Sequence, residues 1–280
     1  MPGTLYIVAT PIGNLEDITL RALRVLKEVD RIAAEDTRHT RKLLTHYAIR
    51  TPLTSYHEHN ERSAAPVLVE RMCRGESIAL VSDAGTPNIS DPGYRLTLAA
   101  VAAGVRVTPI PGASAFTAAL SAAGLPTDRF VFEGFLPEKT QQRRERLRTL
   151  HDERRTLVFY EAPHRLKESL EDLESILGDR AVVIARELSK VHEEFLRGTV
   201  HDISTQLAQR EIYGEVVIIV EGFAGDPGAS EESLAKEILQ LQGNGMRVKE
   251  IADILGEKYA LPKKRIYRLA LEVRKVSTPP

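Results

Sequence analysis

Residues 77–93 read SIALVSDAGTPNISDPG. SIALVS (77–82) is a short, wholly apolar run of the kind that forms a strand buried on both faces. It is broken by Asp-Ala-Gly-Thr-Pro and then Asp-Pro-Gly, after which residues 94–103 carry a small-residue helical pattern. The order strand, loop, helix places 82–93 at the carboxyl end of a parallel strand, where open α/β sheets bind their ligands. Gly85 lets the backbone turn tightly and approach a ligand. Asp83, Thr86 and Ser90 offer polar contacts. Pro87 and Pro92 stiffen the loop, and Pro92 suits a first helical turn.

Working outward, the same alternation recurs. LYIVA (5–9), RIAAE (31–35) and VRVTPI (105–110) read as further strands, with helices at 17–28, starting at Asp17 and striped by Leu20, Leu23 and Leu26, and at 37–46. Two more loops follow strands in this half, TPIGN (10–14) and PGASA (111–115), the latter opening a helix whose N–H groups favour an anionic ligand group. Neither GxxxxGK[ST] nor GxGxxG occurs, which argues against a P-loop or a standard dinucleotide site. The next hundred residues again interleave strands at 129–135, 156–161, 181–187 and 215–221 with helices at 138–152 and from Pro163 to Leu177. The chain therefore reads as two α/β lobes, residues 1–111 and 112–223. A Gly-, Ser- and acid-rich linker at 224–233 leads to a helical, helix-turn-helix-like module at 234–276. Its stripes are Leu234, Ile238, Leu241; Val248, Ile251, Ala252, Leu255; and Ile266, Leu269, Ala270, Val273. The module suits RNA contact, or packing and dimerisation.

Composition bounds the function. A 42% hydrophobic, 28% charged chain is expected to be a soluble globular protein, and cytoplasmic by default because no run approaches a membrane span and the N-terminus lacks a signal peptide. The single cysteine, Cys73, near the end of a helix, excludes a disulfide scaffold or a cysteine-based zinc site. A net charge of −1 does not advertise a nucleic-acid binder, so any such role rests on local charge. Residues 137–155 hold seven Lys/Arg against four Asp/Glu, and residues 258–275 seven against one.

TPIGNLEDITLRAL (10–23), AAEDTRHTRKLL (33–44), SYHEHNE (55–61), SDAGTPNISDPG (82–93), PGASA (111–115), FEGFLP (132–137) and FYEAPHR (159–165), in this order and spacing, resemble the ribosomal RNA small subunit methyltransferase I family, a branch of the tetrapyrrole methylase superfamily. The resemblance implies a cleft between the two α/β lobes that holds S-adenosylmethionine as cofactor, a homodimer, and 2′-O-methylation of a cytidine in the decoding region of 16S rRNA, with rRNA or the small ribosomal subunit as partner. Carried over residue by residue, it places the cofactor against Pro11, Ile12, Asp83, Gly85, Thr86, Ile89, Ser114, Ala115, Tyr160, Gly214, Glu215 and Val216.

A ribose hydroxyl must lose its proton as it attacks, so a carboxylate or imidazole within reach would help. Glu35 and Asp36, with Arg38 and His39 beside them, are the catalytic candidates; the alternative is that the two acids simply cap the following helix. Arg41 and Lys42 are available for phosphates, as are Lys139, Arg143 and Arg144 of the basic helix near 138–152, although a charge run is usually a solvated face. Arg165 suits a phosphate or Glu161. His57 and His59 form an H-x-H, but no further ligand spacing accompanies it, so RNA contact or an ordered loop is the reading and no metal is expected. Two rivals remain. A tetrapyrrole-precursor methyltransferase would want an aromatic basin, against no Trp and 5% aromatics here. A non-catalytic rRNA-binding assembly factor would keep the fold without the chemistry.

Overall fold

The computed structural model describes residues 2–224, 231–259 and 261–276. In the first half, β1 (Thr4–Val8), α1 (Leu20–Glu28), β2 (Arg31–Ala34), α2 (Thr37–His46), β3 (Leu53–Ser55), α3 (Glu61–Cys73), β4 (Ile78–Val81), α4 (Tyr94–Ala102) and β5 (Arg106–Ile110) alternate along the chain. The strands form a five-stranded sheet in the order β3-β2-β4-β1-β5, every pair parallel. The apolar run in β4 follows from its central place. Ala79 and Val81 face the cluster under α1 and α2, while Ile78 and Leu80 face the one under α3 and α4, so both faces are covered.

α5 (Ala115–Ala123), β6 (Phe130–Phe135), α6 (Thr140–Thr149), β7 (Thr156–Glu161), α7 (Leu166–Leu177), β8 (Ala181–Arg186), β9 (Glu194–Thr199), α8 (Val200–Leu207) and β10 (Val216–Val220) build a second sheet, ordered β6-β7-β10-β8-β9. This sheet is mixed. Only β6 and β7 are parallel neighbours, because β10 inserts antiparallel between β7 and β8, and β9 folds straight back on β8. The β8–β9 connection is too short for a parallel crossover, which needs a dozen or more residues. Val216, Ile218 and Val220 pack toward α6–α8, and Val217 and Ile219 toward α5.

α9 (Glu231–Gly243), α10 (Val248–Tyr259) and α11 (Lys263–Val276) close around Leu234, Ile238, Ile251, Ala252, Leu255, Ile266 and Ala270, with Leu241, Val248, Leu269 and Val273 at the edge, so the three sequence stripes meet in one core. Phe223 packs on that core, and the Arg265 guanidinium lies 3.1 Å from the His151 ring Nε2, which ties the module to the second sheet. Residues 225–230, most of the expected linker, lie outside the described residues.

Several boundaries differ from the sequence reading for local reasons. α1 starts after Thr19, whose hydroxyl accepts from Ala22 N at 3.1 Å, while Asp17 ends a single 3-10 turn. Pro92 precedes α4 rather than opening it, since Gly93 at φ +144° is the N-cap. The Tyr56 hydroxyl, fully buried, accepts from Leu96 N at 3.1 Å and so caps that helix. β3, β9 and α8 have no counterpart in the sequence reading, and α3 was visible there only through its end at Cys73.

Candidate active site

The three strand-end loops are stitched to one another. Thr10 N donates to Gly85 O at 2.8 Å and Gly85 N to Thr10 O at 3.1 Å, an antiparallel bridge between TPIGN and SDAGTP. Gly85 holds φ +77°, a conformation that costs other residues strain. The Thr86 hydroxyl donates to Ala113 O at 3.1 Å, which adds PGASA. The tips of β2 and β4 are cross-braced as well. Asp36 N donates to Asp83 Oδ1 at 3.0 Å, and Asp83 N reaches Glu35 Oε2 at 3.4 Å. From the second sheet, the Tyr160 hydroxyl accepts from Phe116 N at 3.3 Å, at the start of α5, a helix with no side-chain cap.

These contacts enclose a cavity of about 310 Å3. Ile12, Asp83, Gly85, Thr86, Ile89, Ser114, Ala115, Tyr160, Glu215 and Val216 line it, together with Glu35. Of the other carried-over positions, Pro11 lies in an adjoining cavity of about 380 Å3 with His39, Lys42 and Lys190; the two cavities share Ile12, Asp83, Ala84 and Glu215. Gly214 lines neither. It turns the backbone at φ +82°, where a Cβ would stand 2.0 Å from Glu187 Oε1. Glu187 in turn holds Lys190 Nζ at 2.8 Å and Glu215 N at 3.2 Å. Gly214→Ala is therefore expected to cost about 1–3 kcal/mol of stability through left-handed strain and to displace Glu187 from Glu215 N, weakening whatever the cavity holds beside Glu215; a thermal melt and calorimetric titration with S-adenosylmethionine, the ligand the sequence resemblance implies, would show both.

Asp91, Phe135 and Glu161 complete the wall. Sequence reasoning passes over Asp91 as loop, although the Asp-Pro-Gly that closes the decisive segment is its signal; Phe135 is signalled only by ending a strand, and Lys190 by nothing local. The Asp91 carboxyl is pushed up to about 6, chiefly by burial and then by the negative charges of Glu35, Asp83 and Glu215, against a hydrogen bond from the Ser82 hydroxyl. Burial also raises Glu35, opposed by the Asp83 N–H. Glu161 is enclosed and satisfied, accepting from Ser169 Oγ at 2.6 Å, Ala162 N at 2.7 Å and Arg165 at 2.7 Å.

Other candidates are placed differently. Asp36 is the N-cap of α2, accepting from Arg38 N at 2.7 Å, and its side chain is clamped by the Arg38 guanidinium, whose hydrogen bonds hold the carboxyl well below the usual range. It does not line the cavity, so the capping alternative describes it. Arg143 is corrected more sharply. It is 1% exposed and pairs with Asp172 at 2.7 Å, so it has no surface to offer RNA. Arg144 shares Asp172 at 2.6 Å but remains half exposed, and Lys139 is exposed. Arg165 is drawn inward to Glu161 rather than outward to a phosphate. His57 and His59 sit in a turn before α3, ring centroids 5.9 Å apart, with His59 exposed. Arg38, Arg41, Lys42 and His46 crowd the exposed face of α2.

The family model for Tetrapyrrole (Corrin/Porphyrin) Methylases matches residues 4–204. A protein of Halalkalibacterium halodurans named Ribosomal RNA small subunit methyltransferase I is 50% identical over 95% of this chain and 94% of its own. One of that name from Xylella fastidiosa is 52% identical over 95% and 98%. The chain belongs to the ribosomal RNA small subunit methyltransferase I family. Among solved structures, uroporphyrin-III C-methyl transferase from Thermus thermophilus complexed with S-adenyl homocysteine shares the fold, with a TM-score of 0.55, 19% identity, and coverage of 78% of this chain and 97% of that one. As a member of this methyltransferase family, the chain is an enzyme that uses S-adenosylmethionine.

The residues present fit that cofactor. The cavity volume lies in the range of small-molecule sites. The α5 N-terminus, where Ser114 makes no side-chain cap and Tyr160 takes only the Phe116 N–H, presents backbone N–H groups suited to a carboxylate. Tyr160 and Phe135, ring centroids 5.5 Å apart, and the carboxyls of Glu35, Asp83, Asp91 and Glu215 suit a positively charged group. No helix among the described residues is long and apolar enough to cross a membrane.

Proposed function

We propose that this enzyme methylates the 2′-hydroxyl of a cytidine ribose in the decoding region of 16S rRNA, as a cytoplasmic homodimer acting on rRNA or the small ribosomal subunit. The names of its near-full-length relatives support rRNA as acceptor. The observation that carries the reading is a change of charge across two adjoining cavities. Carboxyls are the charged groups of the donor cavity's lining, whereas its neighbour adds His39, Lys42 and Lys190 to the shared Asp83 and Glu215 and is continuous with the basic face of α2. An anionic acceptor lying along α2 would bring its sugar to the shared wall of Asp83 and Glu215. The cofactor supplies an already activated methyl group. The chain's own work is to align the acceptor oxygen and exclude competing geometries, and Glu35, on the donor-cavity wall, would take up the hydroxyl proton. The lobes at 1–111 and 112–223 carry these cavities, and the module at 234–276 packs beside the second lobe, where it would extend the RNA footprint.

The test offers labelled S-adenosylmethionine with small subunits, with naked rRNA and with tetrapyrrole precursors. Label in alkali-resistant dinucleotides, where the 2′-oxygen is blocked, supports the reading, and label in a macrocycle overturns it. Arg41→Ala and Lys42→Ala are each expected to weaken RNA binding and to reduce the slope of log affinity against log salt by roughly 1; an unchanged slope would remove α2 from the interface.

A further inference from the structure

Asp91 is the carboxyl of the donor cavity that the fold leaves most exposed to its own kind. Glu161 is neutralised by Arg165, and Glu215 lies 3.4 Å from Lys190 Nζ. Asp83 accepts from Asp36 N, and Glu35 from Asp83 N. Among the described residues, Asp91 has the Ser82 hydroxyl and no ion pair, and no Lys, Arg or His lines the cavity with it. An independent feature of the same wall suits a cation, the aromatic pair Tyr160 and Phe135, whose rings are tilted at 59° with centroids 5.5 Å apart, the latter 55% exposed.

We propose that Asp91 is a specificity determinant that reads the positive charge of the methyl donor, so that the cavity holds S-adenosylmethionine in preference to its neutral, demethylated product. The inference rests on the use of S-adenosylmethionine and is independent of which acceptor is methylated. Transfer of the methyl group converts a sulfonium to an uncharged thioether, and a carboxylate in a half-desolvated site feels that loss strongly. The product is then released from a site whose carboxyls again repel one another, which favours exchange for fresh donor. Asp91 faces Glu35 at the end of β2, Ser82 and Asp83 at the end of β4, Tyr160 on β7 and Glu215 before β10. Those neighbours leave its ionisation within an accessible pH range, and the donor binds the ionised form.

The test is calorimetric titration of the full chain with S-adenosylmethionine and, separately, S-adenosylhomocysteine. In the wild type the ratio of the two affinities should favour the donor at pH 8 and shrink as the pH falls through about 6. Asp91→Asn should lower that ratio about tenfold at pH 8 by weakening the donor alone, and Asp91→Glu should restore most of it. Equal weakening of both ligands in Asp91→Asn, or an unchanged ratio, overturns the proposal. Should Asp91→Asn not fold, a wild-type ratio that is flat with pH overturns it equally. Uptake of neither ligand by folded wild-type protein would instead remove the donor cavity itself.

Discussion

Glu35→Gln is expected to lower turnover by roughly two orders of magnitude or more while shifting S-adenosylmethionine affinity only a few-fold. Glu35 stands at the tip of β2 on the donor-cavity wall, and its carboxylate is oriented by the Asp83 N–H, a bond that glutamine's carbonyl oxygen can still accept. What glutamine cannot do is take a proton. Burial raises the Glu35 carboxyl above its ordinary value, which makes its conjugate base stronger and better matched to a weakly acidic hydroxyl. The sign of the pH effect follows. Activity needs the ionised form, so with donor saturating, which removes the Asp91 contribution through binding, the rate should fall on acidification at a pH above that of an ordinary glutamate, and this acidic limb should vanish in Glu35→Gln. Asp36→Ala makes the contrast. That residue is committed to the α2 cap and to Arg38, so its loss should lower the melting temperature slightly and reduce turnover far less than Glu35→Gln does. Single-turnover rates with labelled donor, paired with binding titrations, separate these effects. Wild-type turnover in Glu35→Gln would exclude it as the proton acceptor.

The second large effect is on stability. Arg143→Ala should destabilise the protein by about 3–5 kcal/mol, lowering the melting temperature by roughly 10 °C for a chain of this size. The guanidinium is 1% exposed and its partner Asp172 2% exposed, so truncation strands a buried carboxylate with only the half-exposed Arg144 to hold it. Replacing Arg143 and Asp172 together by apolar residues of similar volume should recover much of the loss, because desolvation offsets most of what a buried pair contributes. Thermal melts of the single and double variants check this. A melting temperature unmoved in Arg143→Ala, with RNA binding weakened instead, would return the residue to the RNA surface.

Arg143 also shows why part of the site was illegible in the chain. Lys139, Arg143, Arg144, Arg146 and Arg148 look alike as a basic run. Which of them is swallowed depends on α7 presenting Asp172 to one face of α6, and no local pattern encodes that. The Glu35–Asp36 dipeptide was ambiguous for a related reason. Both end the same strand, and only the brace between the β2 and β4 tips sends one into the cavity and leaves the other on the helix. The second sheet was read as strands and helices in alternation, but its mixed pairing came from β10 inserting between β7 and β8, a long-range choice made by Val216, Ile218 and Val220 finding α6–α8.

Local chemistry was enough for four of the five strands of the parallel first sheet, β3 at its edge excepted, and for the three ligand-facing loops and the three stripes of the terminal helices. Apolar periodicity, glycine at a left-handed turn and breaks at Pro act within a few residues, and they can be read without knowing the fold. Tertiary structure alone decided that Glu35, Asp83, Asp91 and Glu215 line one space, with no Lys, Arg or His among the described residues of its wall, while His39, Lys42 and Lys190 line the next. Electrostatics depends on distance and desolvation through space, and those are settled only when strand tips far apart in the chain are packed side by side.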